Sequence, residues 1–266
     1  MEQVVRDMVG RSITEYYPGR TNEPGEIVLE VKNFCQEGLF NNISFKLRKG
    51  EILGVAGLMG AGRTEIMRAL FGVDSCKHGE VYLHGKKVCI KKPEDAIKAG
   101  IGFITENRKS EGLILDFSIS RNIALPSVDT FAKRSVINAK NETAFSEALS
   151  KKLGVKTASI DLEAGALSGG NQQKVVIAKW IGMNPSIIIM DEPTRGIDVG
   201  AKRDIYDLMN ELTSQGVAII MVSSELPEVI GMSDRILVIH EGKIAGELDH
   251  EEATQEKIIT LATGGQ

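Results

Sequence analysis

The sequence predicts an α/β fold in which a mostly parallel core sheet is accompanied by antiparallel strands and a helical segment. Three runs of strand length, EILGVAG, SIIIMDEP and VAIIMVSSE, are apolar almost throughout, as expected of strands that are covered on both faces. The glycine-rich stretch GLMGAGRT follows the first run and leads into TEIMRALFG, which has the spacing of an amphipathic helix. Strand, glycine loop and helix in this order indicate helices packed on a parallel sheet.

Composition is that of a globular chain, and its 266 residues are enough to bury a sizeable core. The net charge of -4 argues against a nucleic-acid binder, which would usually show a basic excess. No apolar run approaches a membrane span, and the Met1 end lacks the apolar core of a secretory signal. The cysteines, Cys35, Cys76 and Cys89, form no CxxC pair, so we expect free thiols in a reducing cytosol. The histidines show no metal-ligand spacing and are expected in turns or at the surface.

Shorter strands flank the apolar runs. EIVLEV and ISFKL alternate apolar and polar residues, as half-buried strands do, and IGFIT is a further strand-length apolar run. Two hairpins are expected at EVYLHGKKVCI and RILVIHEGKIAGEL, turning at His84-Gly85 and Glu241-Gly242.

Helices are expected in three further places. PEDAIKAG has proline at its start and glycine at its end, and NETAFSEALSKKLG is amphipathic and closed by Gly154. Residues 2–9 place apolar side chains on one stripe, and a segment rich in Pro and Gly follows them. A short helix and a linker before the first strand predict that residues 1–26 are the end of a preceding domain plus a linker.

The loop GLMGAGRT nearly matches the ATP-binding pattern G-x-x-x-x-G-K-[ST], with Arg63 at the position of the lysine. Its glycines let backbone N–H groups surround phosphates, the following helix directs its positive end at the same place, and Thr64 offers a hydroxyl to Mg²⁺. Arg63 keeps the charge but aims it differently, so binding can survive while catalytic alignment suffers. A tight glycine turn with no ligand is the alternative. The candidate nucleotide-binding residues are Gly57, Leu58, Met59, Gly60, Ala61, Gly62, Arg63 and Thr64.

Two adjacent carboxylates end the buried strand SIIIMDEP. An acidic side chain at Asp191 can hold Mg²⁺ directly or through water. Because neighbouring strand residues point to opposite sides, Glu192 can serve separately and polarise a water for attack on a γ-phosphate. The alternative is a solvated acidic turn.

A third motif, ALSGGNQQKVVIAKWI, resembles the signature sequence of ABC transporter ATPases, and DEPTRGIDVG resembles their Walker B motif and D-loop. The resemblance covers the chain from Ile27 to Leu248. It implies a P-loop NTPase fold with an antiparallel β subdomain and a helical subdomain. The implied divisions are an ATP-binding core with the antiparallel β subdomain at 27–106 and 167–248, a helical subdomain at 107–166, and a C-terminal tail at 249–266.

The resemblance also implies a shared nucleotide site, because two such domains stack head to tail and each ATP lies between one domain's phosphate loop and the other's signature. The residues it assigns to this shared site are Ser168, Gly169, Gly170, Gln172 and Asp198. It likewise implies that Glu106 stands where a glutamine normally contacts the metal and the attacking water. Ser224 stands where a histidine normally contacts the γ-phosphate. With Arg63, these departures suggest a site that binds ATP but hydrolyses it poorly, and Phe34 or Phe40 would have to replace the usual adenine-stacking aromatic.

GLMGAGRTE, ITENRKSEGL and VSSELPEVIGMSDRI resemble the second ATPase domain of importers for sugars of the ribose, galactose and xylose type. That resemblance implies ATP and Mg²⁺ as cofactors, a fused upstream ATPase domain, transmembrane permease subunits contacted by residues 106–118, indirectly a sugar-binding protein, and a place on the cytoplasmic side of the cell membrane. The isolated domain would be weakly active or inactive. A non-catalytic nucleotide-binding and dimerisation module is the alternative. A soluble ABC ATPase of translation or DNA repair is disfavoured by the acidic charge balance.

Overall fold

The computed structural model describes residues 17–19, 23–133 and 136–265. In chain order the strands are β1 Ile27–Gln36, β2 Phe40–Arg48, β3 Ile52–Gly57, β4 His78–Leu83, β5 Lys86–Val88, β6 Ile101–Ile104, β7 Ala132–Lys133, β8 Val136–Ile137, β9 Ile187–Asp191, β10 Ala218–Val222, β11 Arg235–His240 and β12 Lys243–Asp249. The helices are α1 Arg63–Phe71, α2 Pro93–Lys98, α3 Ile119–Ala124, α4 Val128–Phe131, α5 Ala139–Lys152, α6 Gly169–Ile181, α7 Val199–Ser214, α8 Leu226–Met232 and α9 Gln255–Ala262.

The core is a six-stranded sheet in the order β12-β11-β3-β10-β9-β6. Its strands pair in parallel except at one edge, where β12 runs antiparallel to β11. Every residue of β9 and β10 is buried, which explains why both read as continuous apolar runs. The predicted α/β class with a mostly parallel core is therefore confirmed. The carboxyl ends of β3, β9 and β10 meet at one edge, where Gly57, Asp191 and Val222 lie.

A second sheet has four antiparallel strands in the order β2-β1-β4-β5, as the alternating patterns predict. The two hairpin turns fall at the predicted dipeptides. At each turn both residues have positive φ, 47° and 73° at His84 and Gly85, and 45° and 70° at Glu241 and Gly242. That pair of angles matches the twist of antiparallel strands, which makes such dipeptides a reliable hairpin signal.

Residues 107–166 are mostly helical, with α3, α4 and α5 and one π-helical turn at Arg108–Gly112. The predicted helices are present: α1 ends before Gly72, α2 begins at Pro93, and α5 is followed by Gly154 at φ 60°. A two-stranded hairpin, β7-β8, was not anticipated, because two residues per strand leave no periodic pattern to find. The division of the chain into subdomains at 107 and 166 stays a prediction.

The two ends of the described chain pack on the core. The segment 249–266, expected to be a tail, contains α9, whose Ile258 and Ala262 are buried. Spaced four residues apart, they lie on one helix face against β3 and β11. At the other end, the ring of Tyr17 lies 5.3 Å from that of Tyr206 and directly against Gly231. The helix predicted at residues 2–9 lies outside the described residues.

All three cysteines are free thiols. Among the described residues no cluster of three or more His, Cys, Asp and Glu side chains could hold a metal ion on its own. None of the helices in the described ranges is long and apolar enough to cross a membrane.

Candidate functional site

The glycine loop connects β3 to α1 at the carboxyl edge of the core sheet. Its glycines Gly57, Gly60 and Gly62 have φ of 155°, 79° and 98°, values that side-chain-bearing residues rarely adopt. Gly62 immediately precedes the first turn of α1, and no side chain caps that turn. Met59, near the tip of the loop, is 98% exposed. The first turn of α1 therefore leaves backbone N–H groups without a side-chain cap, a geometry that suits an anion; phosphate binding here stays a prediction.

The loop glycines serve two different purposes. A Cβ at Gly57 would lie 2.4 Å from the carbonyl oxygen of Ile239, so that glycine is required by the close passage of β11. A Cβ at Gly60 would meet nothing within 4 Å. Gly60 is thus the position at which the loop leaves open space for a bound group, and Gly57 is the position at which the loop is held against the core.

Asp191 lies at the end of β9 with its carboxylate turned inward. Only 1% of the residue is exposed, and no described residue donates a hydrogen bond of standard geometry to either carboxylate oxygen. Burial raises the pKa of Asp191 to about 6, while the nearby Thr64 hydroxyl acts to lower it. A buried carboxylate without donors, beside a hydroxyl at a helix N-terminus, suits a hard cation such as Mg²⁺ that takes its other ligands from phosphate and water. The donor set therefore fits the metal.

Glu192 lies just beyond the end of β9. Strand alternation, on which its separate role was predicted, does not apply to it, because β9 ends at Asp191 and Glu192 has a left-handed backbone with φ 48°. Its N–H donates to the carbonyl oxygen of Val222 at 2.9 Å. The Ser224 hydroxyl donates to Glu192 Oε2 at 3.1 Å. Burial raises the pKa of Glu192, against the opposing influences of that hydroxyl and of Arg63.

Arg63 is turned away from open space. Its Nη1 donates to the carbonyl oxygen of Ser223 at 2.7 Å, and its Nη2 lies 3.9 Å from Glu192 Oε1. The side chain is only 11% exposed. The guanidinium is thus held by the segment after β10 and neutralises the neighbouring carboxylate. That this arginine serves a phosphate less well than a lysine would do stays a prediction.

Glu106 completes the site from the segment after β6, where it forms an ion pair with Arg195. A cleft of about 380 Å³ brings the predicted residues of the phosphate loop and the catalytic candidates together. It is lined by Met59, Gly60, Ala61, Gly62, Arg63, Thr64, Glu65, Glu106, Glu192, Arg195 and Ser224. Among the predicted loop residues, Gly57 and Leu58 do not line it; Leu58 is half exposed beside Met59.

The signature residues form a second group that does not line this cleft. Ser168 is the exposed residue that precedes the first turn of α6, and a Cβ at Gly170 would lie 2.8 Å from Ala201 Cβ. Asp198 caps α7 by accepting a hydrogen bond from the Ala201 N–H at 2.9 Å. Gln172 is only 3% exposed and its amide is committed to internal partners. Its position favours a supporting role over direct contact with a ligand.

Three residues near the site were not predicted from the sequence. Arg195, next to the DEPT motif, pairs with Glu106, and Arg108 joins the segment after β6 to Gln172 on α6 and to the Gly196 carbonyl. Glu228 is 1% exposed and accepts hydrogen bonds from Thr194 Oγ1, at 2.7 Å, and from the Ser223 hydroxyl. Burial raises its pKa. A carboxylate inside the otherwise apolar stretch LPEVIGM was the available signal for Glu228.

The adenine contact expected of Phe34 or Phe40 stays a prediction. The two residues are 5% and 4% exposed and stack on each other with ring centroids 5.6 Å apart. Neither lines the cleft beside the glycine loop. The β1–β2 connection exposes Leu39.

Comparison with known proteins places these motifs in one family. Residues 40–195 match the model of the ABC transporter family. The ribose import ATP-binding protein RbsA of Bacillus licheniformis is 61% identical over 99% of this chain, and that of Bacillus subtilis is 62% identical over 100% of it. The chain spans about half the length of these curated relatives, 54% in each case.

Solved structures agree on the fold. The ADP conformation of an ATP-binding cassette of an ABC transporter superposes with a TM-score of 0.75, at 22% identity, over 90% of this chain and 99% of the other. A dimeric structure of a bacterial ABC transporter cassette gives a TM-score of 0.71, also at 22% identity, over 84% and 98%. Because the family model covers more than half of its residues, this chain belongs to the ABC transporter family, and it has the fold of that family's ATP-binding cassettes.

Proposed function

We propose that this chain is one ATP-binding half of an ATPase that drives import of a ribose-type sugar. The supporting observation is its identity of about 60% with ribose import ATP-binding proteins that are nearly twice as long. We infer that it corresponds to their second half and works with a fused upstream ATPase domain.

In its own site, the loop Gly57–Thr64 would bind the phosphates of ATP. Thr64 and Asp191 would hold Mg²⁺, which when bound neutralises charge developing on the transferred phosphoryl group. Glu192 would orient and polarise the attacking water, with Ser224 and Glu106 as the neighbouring polar groups. A raised pKa at Glu192 suits a general base, because it brings the pKa of the carboxyl group closer to the working pH.

This site is proposed to hydrolyse ATP poorly. A phosphate would have to compete with the Ser223 carbonyl and Glu192 for the guanidinium of Arg63. Glu192 in turn accepts the Ser224 hydroxyl, where a histidine would place a longer donor over the γ-phosphate. Glu106 is engaged by Arg195 and bears a charge that a glutamine lacks. Each departure replaces a contact with substrate by a contact within the chain.

The main catalytic contribution is then proposed to be made in trans. Ser168, Gly169 and Gly170 lie at an exposed helix N-terminus outside the chain's own cleft, a position that suits a γ-phosphate held by another domain. Residues 106–118 and the helical segment after them would contact permease subunits. Those contacts would keep the protein at the cytoplasmic side of the membrane, and a sugar-binding protein would act on the far side.

Two measurements test this proposal. In the full-length protein, Ser168→Arg should abolish ATP-driven sugar uptake, because the long cationic side chain intrudes on the partner's γ-phosphate; uptake at the unmodified level would contradict the role in trans. In the 266-residue chain, steady-state Mg-ATP turnover should be low, and Arg63→Lys should raise it by freeing a cation for the phosphates. Glu192→Gln serves as the control for contaminating ATPase.

A non-catalytic module for nucleotide binding and dimerisation is the second candidate. It is favoured by the engagement of Glu192, the proposed base, by both Ser224 and Arg63. Three results together would select it. The 266-residue chain would bind ATP without turning it over, Arg63→Lys would not raise its turnover, and Ser168→Arg would not change the turnover of the full-length protein.

A further inference from the structure

The guanidinium of Arg108 lies between the signature loop and the loop that follows the DEPT motif. Its Nη1 donates to the carbonyl oxygen of Arg195 at 2.8 Å, and its Nη2 donates to that of Gly196 at 3.2 Å. Its Nε points to Gln172 Oε1, 3.4 Å away on α6. One side chain from the segment after β6 therefore contacts both α6, which begins with the signature glycines, and the loop after the DEPT motif.

Arg108 makes these contacts without a carboxylate. Within the described part of the chain it forms no ion pair, and burial lowers its pKa. Two backbone carbonyls and one amide oxygen are the acceptors instead. A planar fork directed at two successive carbonyls fixes their position, a geometry that a lysine ammonium cannot reproduce.

Gly169 is shaped by the same contact. A Cβ on Gly169 would lie 2.7 Å from Arg108 Nη2 and 3.3 Å from the carbonyl oxygen of Gly196. A side chain at the first glycine of the LSGG motif would therefore displace the guanidinium from its place beside the Gly196 carbonyl. The position of the Arg108 guanidinium and the absence of a side chain at Gly169 therefore depend on each other.

The turn that carries Arg108 is also anchored at its other end. Lys179, buried on α6, donates from its Nζ to the carbonyl oxygen of Gly112 at 2.8 Å. A Cβ at Gly112 would lie 3.2 Å from Val176 Cγ2 on the same helix. The π-helical turn Arg108–Gly112 is therefore fastened to both ends of α6 and has little freedom to move apart from it.

We propose that Arg108 is the positioning residue of the signature loop. It holds Ser168–Gly170 and Arg195–Gly196 at a fixed separation, so that the two segments present themselves to a partner domain's nucleotide as one surface. The consequence for catalysis rests on the proposed role of the signature in trans. The consequence for the geometry of the loops does not.

The geometric part is tested in the 266-residue chain without nucleotide, by amide hydrogen exchange. The reporters are the N–H of Gln172, bonded to the Ser168 carbonyl at 2.8 Å, and that of Ala201, bonded to Asp198. Arg108→Gln should speed exchange at both on the order of tenfold, because the two loops lose their common support. Lys109→Gln, which removes the same charge from an exposed neighbour on the same turn, is the matched control and should change neither.

The catalytic part is tested by Mg-ATP turnover of the full-length protein with its permease. Arg108→Gln should lower kcat on the order of tenfold with KM for Mg-ATP unchanged, since a misplaced loop costs alignment and leaves the phosphate loop intact. Arg108→Lys should recover part of the loss, because a lysine can reach one carbonyl. Adding Gly169→Ala to Arg108→Gln should cost less than the two single effects multiplied, because both disrupt one contact.

Exchange equal to that of Lys109→Gln, together with kcat equal to that of Lys86→Gln, an exposed lysine outside the proposed permease contact, would overturn the proposal. So would exchange accelerated evenly along the whole chain, which would indicate a general loss of stability. If Ser168→Arg leaves turnover unchanged while Arg108→Gln still loosens the two reporters, the role in trans fails and the positioning of the loop stands. If Ser168→Arg abolishes turnover and Arg108→Gln matches its control, the inference about Arg108 alone is wrong.

Discussion

Replacing Asp191 by asparagine should stabilise the ligand-free protein at neutral and basic pH. The carboxylate is buried without donors, and its pKa is raised from 3.8 to about 6 by burial. The folded state thus holds the proton more tightly than the unfolded chain, so ionisation of Asp191 weakens folding as pH rises between these two values. A difference of about two pKa units corresponds to a penalty of roughly 3 kcal/mol at pH 8 and about half of that at pH 5.

Asparagine removes the charge while keeping the shape of the side chain. Its amide leaves a donor without a partner, so the gain in the free energy of unfolding should be about 1–3 kcal/mol at pH 8 and smaller at pH 5. Urea unfolding at the two pH values measures it. Asp116→Asn, at an exposed position, is the control and should shift stability by less than about 0.5 kcal/mol.

The effect of Asp191→Asn on the free energy of unfolding should change from a gain to a loss when Mg-ATP is present. Mg-ATP should stabilise the unmodified chain more than Asp191→Asn, because the carboxylate is the proposed metal ligand. A loss of stability in ligand-free Asp191→Asn at pH 8, or an equal gain at pH 5 and pH 8, would refute the account of a carboxylate kept unpaired for a cation.

Other substitutions separate structural from functional roles around the cleft. Gly57→Ala should cost roughly 2–4 kcal/mol of stability, because its Cβ would meet the Ile239 carbonyl. Gly60→Ala should cost about 1 kcal/mol of stability and mainly weaken ATP binding. Thermal unfolding measures the first effect and nucleotide titration the second. Glu228→Ala should cost about 2–4 kcal/mol, since it strands the Thr194 hydroxyl and leaves a cavity, and Glu228→Gln should cost less in urea unfolding because an acceptor remains. Equal losses in the two Glu228 variants would contradict this reasoning, because glutamine keeps the volume of glutamate and should avoid the cost of the cavity.

The sequence was sufficient for features that depend on neighbours along the chain. Continuous apolar runs located β9 and β10, and the dipeptide His84-Gly85 located a hairpin turn, because burial on both faces and positive φ leave local marks. The phosphate loop and the two carboxylates are likewise compact motifs. The loop and the carboxylates lie at the same edge of the core sheet, because parallel pairing brings the carboxyl ends of β3 and β9 together there.

The contacts that modify the site join distant parts of the chain. Arg63 binds the Ser223 carbonyl 160 positions away, and Arg108 reaches Gly196 across 88. No periodicity or spacing encodes such a pairing, because each depends on how the strands are ordered in the sheet. The conformation of Glu192 could not be predicted for another reason. Its positive φ occurs where β9 ends, and glutamate is not a residue type that favours positive φ.

That left-handed backbone has a consequence for how the chain would evolve or be redesigned. Holding φ at 48° with a glutamate costs roughly 1–2 kcal/mol that glycine would avoid and asparagine would reduce. A library of variants at position 192, selected only for resistance to heat or protease, should therefore drift toward glycine and asparagine. The same library selected through the proposed sugar uptake, in the full-length protein, should keep glutamate if its carboxylate is used. The ratio of the two enrichments would measure how strongly selection for chemistry acts against selection for stability at a single residue.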